Sequence, residues 1–584
     1  MSQGVVLHKV TSALLGALNG AKRKGLLKTE SWPVLSLDAP KRPEWGDLAS
    51  TVALSLASSE HRSPHDIARI IVEELAQDDR LFDRVEVVQP GFLNLTVKPA
   101  VWQEVLREIE AQGDGYGRSN SGGGRRILVE YVSANPTGPL HVGHGRGAAV
   151  GQAVANLLDA VGYDVVSEYY INDAGRQIKL LGESVYARYQ ELSGRRVEFP
   201  IDGYHGAYIT AVAERLRQQR ESAGGSQDPD DLEGQCRRFA LEDLLNVIRQ
   251  DLRSFGIEFQ SWFSEASLLS SNAVERVLDD LKSRQLLFEQ DGALWFRSSQ
   301  FADEKDRVVK KQDGEYTYLA SDIAYHWDKL QRGYDLLIDV WGADHHGYIP
   351  RMQAVMQAYG HPKERLQVVL VQLVKLLRGG VEVKMSKRAG EFVTLRDVID
   401  EVGADAAKFY FLMRDSKTHL DFDLELAKQR SAENPVYYVQ YAHARISSLW
   451  RVSKSRGINR PLPSQTDLGK LTDPDELALI RKISAFPSVV HASALSYEPH
   501  RLTYYLQQLA GLLHGFYNKH RILPPAAGRE EGEGDLGTPA SDGEQQREIV
   551  DSERTAARLA LMAGVQQVLR NGLSLLGIST PDHM

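Results

Sequence analysis

The sequence predicts a multidomain α/β protein. An open parallel sheet is interrupted by a helical insertion, with an α+β unit before it and an all-α helical bundle after it. Three observations carry this expectation. Strand, helix and strand follow one another between Arg126 and Ile171, a spacing that implies a parallel βαβ unit. Apolar strand-like runs return at Leu336–Trp341 and Val368–Val371. From about residue 426 one helix-period pattern succeeds another to the end. A chain of 584 residues is too long for one core and fits two to four domains.

Residues 1–115 read as the α+β unit. Val5, Val10, Leu14, Leu15 and Leu18 recur at helical spacing, and Val85–Val97 reads as two short strands around Pro90-Gly91. The glycine- and serine-rich stretch Gln112–Gly124 marks the clearest boundary. The core then spans 120–425, beginning with the strand Arg126–Val132. A helix starts near Gly143 with Val150, Val154, Leu157, Leu158 and Val161 on one stripe, and the strand Asp164–Ile171 follows. Residues 195–300 read as a largely helical insertion with a polar loop at 224–229. The bundle, 426–584, is broken by Leu523–Asp551, whose proline, glycine and glutamate content predicts a flexible acidic loop.

Composition narrows the class. With 42% apolar and 25% charged residues, the chain matches an ordinary soluble protein. One cysteine, Cys236, excludes an internal disulfide and a multi-thiolate zinc site, and fits a reducing, cytoplasmic setting. The first residues carry charge too early for a signal peptide, and no apolar run spans a bilayer, so no membrane partner is expected. A net charge of −9 does not announce a nucleic-acid binder, although basic residues gathered on one face still permit RNA.

Two segments carry chemistry. Ala134-Asn-Pro-Thr-Gly-Pro-Leu-His-Val-Gly-His144 lies between a strand and a helix start, where open α/β sheets bind ligands and backbone N–H groups attract anions. Gly143 allows close backbone approach, while His141 and His144 can donate to phosphate oxygens. Read alone, this is equally a Pro/Gly turn with two surface histidines. Lys384-Met-Ser-Lys387 follows a predicted hairpin, Gly379–Val383; its lysines suit a leaving pyrophosphate, and its loop can close and reopen. In this order the two segments point to nucleotidyl transfer from ATP. Gly342-Ala-Asp-His-His-Gly347 follows an apolar strand, and Asp344 there can accept from ribose hydroxyls. A metal site at Asp344, His345 and His346 is not expected, because adjacent side chains diverge. A dinucleotide-binding alternative uses Gly143, Gly145, Ala148 and the acid Glu168, but the loop Ser133–Leu140 is long for that motif's first turn.

These segments resemble the signature motifs of class I aminoacyl-tRNA synthetases, which have a Rossmann-like core. The stretches Glu130–Arg146, Tyr170–Gln177, Tyr316–Tyr325, Asn434–Arg445 and Leu576–Met584 are similar to arginyl-tRNA synthetases. Gly46-Asp-Leu-Ala and Gly91-Phe-Leu-Asn94 extend the likeness over nearly the whole chain, most weakly in the insertion and the acidic loop. Val142 replaces the usual isoleucine and Arg388 the usual serine, without loss of a catalytic group. Lys387 is retained where many arginyl enzymes lose it.

The resemblance implies catalytic roles for His141, His144, Lys384 and Lys387. ATP would meet His141, Gly143, His144, Gly342, Asp344, Met385 and Ser386. Arginine would meet Glu130, Ser133, Asn135, His144, Tyr318 and Asp322, although on spacing alone Tyr318 and Asp322 read as an ordinary helix face. Tyr437, Tyr441 and Arg445 would contact tRNA, with Tyr438 and His443 as further candidates; core packing explains such aromatics equally well. The N-terminal unit would rest on the tRNA elbow. ATP would bring Mg²⁺, with no tightly bound cofactor and no protein metal site. The expected partners are arginine, ATP and tRNA(Arg), the expected state a monomer, and no editing domain is expected. A different nucleotidyl transferase of the His-x-Gly-His type, or a non-catalytic RNA-binding paralogue, remains open on motifs alone.

Overall fold

The computed structural model describes residues 4–40, 42–76, 80–222, 231–301, 303–383, 393–524 and 552–584. The lysine loop 384–387, the polar loop at 224–229 and residues 525–551 of the acidic loop lie outside the described residues.

The N-terminal unit is a four-stranded antiparallel sheet in the order β1-β2-β4-β3, made of β1 (Leu37–Asp38), β2 (Leu48–Ser50), β3 (Phe82–Val88) and β4 (Phe92–Val97). The helices Val5–Arg23 and Pro64–Leu75 bury Val6, Val10, Leu14 and Ile67, Ile71 respectively. Ser63 caps the second helix through the Asp66 N–H, and Pro64 occupies its first turn, where a missing N–H costs nothing.

The stretch Gln112–Gly124 is not a free tether. Tyr116 is fully buried, stacks on Phe486 at 6.0 Å and donates to the Ile483 carbonyl at 3.0 Å. Gly117 adopts φ +95° with Phe486 so near that a Cβ would overlap the ring. Its glycines thus serve close packing against the C-terminal helices.

The main sheet is parallel, in the order β12-β11-β5-β6-β7, formed by β5 (Arg126–Glu130), β6 (Asp164–Ile171), β7 (Ser261–Ser264), β11 (Leu336–Gly342) and β12 (Leu366–Val371). β7 falls inside the predicted insertion, so the sheet resumes earlier than the apolar runs suggested. A three-stranded sheet of β8 (Leu287–Gln290), β9 (Ala293–Phe296) and β10 (Arg307–Lys310) follows it. The helical part of the insertion is the group Arg176–Leu192, Ala207–Ser222 and Leu232–Ser254, with its own core around Leu181, Val212 and Cys236. A third small sheet holds β13 (Val374–Arg378), β14 (Val381–Glu382) and β15 (Leu420–Asp423); β13 and β14 are the predicted hairpin.

The C-terminal helices include Pro435–Ser455, Pro474–Ser484, His500–Lys519 and Ser552–Leu575. A buried Arg558–Glu476 pair at 2.7 Å joins the last of these to the Pro474–Ser484 helix. The terminal residues fold back: the Ser579 carbonyl accepts from Gln440, and Asp582 accepts from Ser447. Among the described residues no helix is long and apolar enough to cross a membrane.

Candidate active site

At the C-terminal end of β5 the backbone turns sharply. Val132 and Ser133 take φ values of +68° and +39°, a conformation that non-glycine residues adopt at a cost of order 1–3 kcal/mol each. The turn places Ser133 Oγ where it donates to Glu130 Oε1 at 2.9 Å and accepts from the Tyr170 N–H at 3.1 Å. Asn135 is exposed on the loop beyond. The insertion braces that loop, because Tyr208 Oη donates to the Thr137 carbonyl at 2.8 Å.

The loop ends in the helix Val142–Ala160, which His141 and His144 cap reciprocally. His141 Nδ1 accepts from the Gly143 N–H at 3.1 Å, and His144 Nδ1 accepts from the His141 N–H at 3.2 Å. With each Nδ1 committed as an acceptor, each ring proton sits on Nε2. The rings stack with centroids 3.7 Å apart. A Cβ at Gly143 would press on the His141 ring, so the glycine protects this pairing.

The described residues that flank the lysine segment meet the histidine loop here. His141 forms a β-bridge with Thr394, and the Leu395 N–H donates to the Leu140 carbonyl at 2.7 Å. Thr394 closely follows the lysine segment in sequence, and the β13–β14 hairpin precedes it. Arg146, fully buried, donates to the carbonyls of Gln372, Asp415 and Thr418 at 2.8–2.9 Å, tying the histidine helix to the base of that hairpin's sheet. Lys384, Met385, Ser386 and Lys387 themselves lie outside the described residues.

Beside the β5 turn lies an acidic pocket. Tyr170 near the end of β6 is surrounded by Glu130, Asp322 and Glu265, whose charges add to burial in pushing its hydroxyl far above the usual tyrosine value. Asp322, on the helix Tyr318–Gln331, accepts from Tyr348 Oη. Burial raises its carboxyl above the ordinary value despite that hydrogen bond. Glu265 follows β7 directly and is buried; burial, with nearby Asp322, raises its carboxyl too, against the opposing effect of Ser321. With the Asn172 amide oriented so that its nitrogen faces acceptors, it donates to Glu265 Oε2 at 3.0 Å. Neither Asp322 nor Glu265 has an ion pair among the described residues. Two largely desolvated carboxylates without a counter-ion make a site for a cation. Tyr318 opens the helix at the rim, 72% exposed.

Sequence reasoning brought Glu130, Ser133 and Asp322 to this place and missed Glu265, Tyr170 and Tyr348. The partial alternation in Ile257-Glu-Phe-Gln-Ser-Trp-Phe-Ser264 was the available sign of the short strand that delivers Glu265. Gly342 and Asp344 lie at the end of β11, which pairs with β5; both are exposed. Glu168, the acid that a dinucleotide reading needs, is occupied by Arg332, Tyr325 and Ser261 at 2.5–2.8 Å, which removes the basis for that reading.

In the C-terminal helices, Tyr437 and Tyr441 stack with centroids 5.8 Å apart, and Tyr441 is exposed. The Arg445 guanidinium lies 4.3 Å from the centre of the Tyr517 ring. Tyr438 packs on His514, and His443 is buried with Nδ1 3.2 Å from the Pro581 carbonyl, so His443 belongs to the core and offers no stacking surface.

A parallel-sheet core with a paired-histidine helix start and a terminal helical domain defines a class I aminoacyl-tRNA synthetase, and sequence comparison agrees. The family model "tRNA synthetases class I (R), catalytic domain" matches residues 106–448, "DALR anticodon binding domain" matches 439–584, and "Arginyl tRNA synthetase N terminal domain" matches 8–97. The chain is 45% identical over 577 residues to an arginine–tRNA ligase of Citrifermentans bemidjiense, covering 99% of this chain and 100% of the relative. It is 48% identical over 560 residues to that of Nitratidesulfovibrio vulgaris strain DP4, covering 95% and 96%. Its fold is similar to the arginyl-tRNA synthetase structure of Thermus thermophilus, with TM-score 0.72, 21% identity, and 99% and 100% of the two chains covered. The chain belongs to the arginyl-tRNA synthetase family.

Proposed function

We propose that this arginine–tRNA ligase performs both of its steps at the C-terminal edge of the main sheet, through the groups described above. Arginine's carboxylate attacks the α-phosphorus of ATP; the bond to the β-phosphate oxygen breaks, and pyrophosphate leaves. The 2′-hydroxyl of the terminal tRNA adenosine then attacks the arginyl carbonyl, and AMP leaves. No protein nucleophile is needed, so catalysis is positioning and charge stabilisation. The Nε2–H groups of His141 and His144 donate to phosphate oxygens at the positive end of their helix. Lys384 and Lys387 neutralise the pyrophosphate, and Met385 and Ser386 close on the adenosine. Gly342 and Asp344 hold the ribose side. Mg²⁺ travels with ATP.

The observation that carries the substrate side is the pair Asp322 and Glu265, carboxylates raised by desolvation and without ion pairs among the described residues. A planar guanidinium satisfies two carboxylates at once, which lysine's point charge does not. Leaving one unsatisfied costs a few kcal/mol, on the order of a hundredfold or more in specificity. Asn135 and His144 hold the α-groups, Glu130 and Ser133 lie beside the guanidinium or its neighbours, and Tyr318 walls the rim. Tyr437, Tyr441 and Arg445 supply stacking and phosphate contacts to tRNA(Arg), and the N-terminal unit adds a second contact. The same reading takes a monomer in the cytoplasm as the working enzyme. Asp322→Asn tests it: KM for arginine should rise by about a hundredfold with KM for ATP nearly unchanged. Equal rises in both would refute the assignment.

A further inference from the structure

The helix Tyr318–Gln331 turns a polar stripe inward. Asp322, His326 and Lys329 are four and three residues apart and share one face. Lys329 is fully buried. Its ammonium donates to Glu130 Oε2 at 2.6 Å and to Asp339 Oδ1 at 2.9 Å, and sits 4.3 Å from the centre of the Tyr325 ring. His326 spans the other Asp339 oxygen, at 3.0 Å from Nε2, and the Asp322 backbone carbonyl, at 2.8 Å from Nδ1. One buried ammonium thus links Glu130 through Asp339 and His326 to the backbone of Asp322.

Burial works against this ammonium, but Asp339 and Glu130 outweigh it and hold Lys329 above the ordinary lysine value. Burial likewise works against Asp339, and Lys329 with His326 holds it below the usual carboxylate value. Well-packed apolar residues would stabilise the fold as well or better than such a group. Its placement directly against the acidic pocket points to a task in binding. Both oxygens of Glu130 already face fixed donors, Lys329 and Ser133. Among the described residues the pocket therefore holds one carboxylate with an internal counter-ion and two without.

We propose that Lys329 is a positioning residue for arginine: it supplies Glu130 with an internal counter-charge and a fixed orientation, so that the guanidinium is directed to Asp322 and Glu265 alone. The proposal rests on the arginine pocket assigned above. Lys329 touches no substrate. Without it, Glu130 competes for the guanidinium and arginine binds in more than one pose.

A double-mutant cycle in the full-length enzyme tests this. Arginine-dependent pyrophosphate exchange, with saturating ATP and tRNA, is measured for wild type, Lys329→Met, Glu130→Gln and the double variant; KM for ATP and melting temperature are recorded for each. Lys329→Met should lower kcat/KM for arginine at least about tenfold, keep KM for ATP within about twofold, and add nothing once Glu130 is glutamine. Losses that multiply, parallel losses for ATP, or unchanged arginine kinetics in a folded Lys329→Met enzyme would overturn it. Lys329→Gln, which keeps a donor without the charge, runs the same cycle if the methionine variant does not fold. Asp322→Asn is measured alongside; if it leaves arginine kinetics untouched, the pocket assignment fails independently of Lys329.

Discussion

His141 and His144 each have two duties on two different ring atoms. Nδ1 caps the helix start, and Nε2–H is the donor assigned to phosphate. Substitutions can separate these duties. In His144→Asn the amide oxygen reproduces the Nδ1 acceptor and the Nε2 donor is lost. The exchange rate should therefore fall by about a hundred- to a thousandfold with the melting temperature almost unchanged. His144→Ala removes the cap as well and should cost about 1 kcal/mol more in stability, read by denaturant unfolding. The acidic pocket makes a pH prediction. Burial raises the carboxyls of Asp322 and Glu265, and the guanidinium needs them ionised. Arginine binding then displaces protons. KM for arginine should climb as pH falls through that raised range and level off above it, with no matching change in KM for ATP. Glu265→Gln should flatten this dependence and raise KM for arginine.

At the scale of elements, the joint between the N-terminal unit and the rest decides where the chain can be cut. The helix Pro99–Gln112 buries Trp102, Val105 and Leu106, and Gln103 donates to the Leu471 carbonyl at 3.0 Å. Removal of residues up to 110 would strip this helix from the C-terminal core. Removal of residues 1–97 keeps it, and that truncation should weaken tRNA binding while ATP binding survives. Undiminished tRNA affinity in a folded truncation would count against the N-terminal contact. The Arg558–Glu476 pair makes a stability test: Arg558→Met leaves a buried carboxylate with its remaining partners only, at a cost of about 3–5 kcal/mol in denaturant unfolding. The regular elements were legible because their periodicity is strong. The strand Asp164–Ile171 and the hairpin before the lysine loop fall where apolar pattern and paired glycines put them. β7 was not, because a four-residue edge strand shows too few alternations to stand out among helices. Lys329 was not either: a lysine on a helix reads as solvated, and only tertiary structure shows its stripe buried against Glu130 and Asp339.

Across the whole molecule, the two motifs lie far apart in sequence, and backbone joins the histidine loop to residues just after the lysine segment. Leu140, His141, Thr394 and Leu395 form the joint, and Arg146 fastens the histidine helix to the sheet from which the lysine loop departs. Sequence order showed both motifs and the kind of chemistry; no local signal could show that joint. The insertion reaches the same site through Tyr208, and the terminal residues pack back onto the Pro435–Ser455 helix that carries Tyr437 and Tyr441. One face of the main sheet and the C-terminal helices thus share one continuous apolar core, while the sheet's other face packs a separate one. The most direct test is arginine-dependent exchange of labelled pyrophosphate into ATP, with and without total tRNA, and with lysine and citrulline as controls. Exchange with arginine alone among the three is the predicted result, with tRNA expected to raise it. No exchange under any condition in demonstrably folded protein, or equal exchange with citrulline, would contradict the reading of the acidic pocket as a guanidinium site.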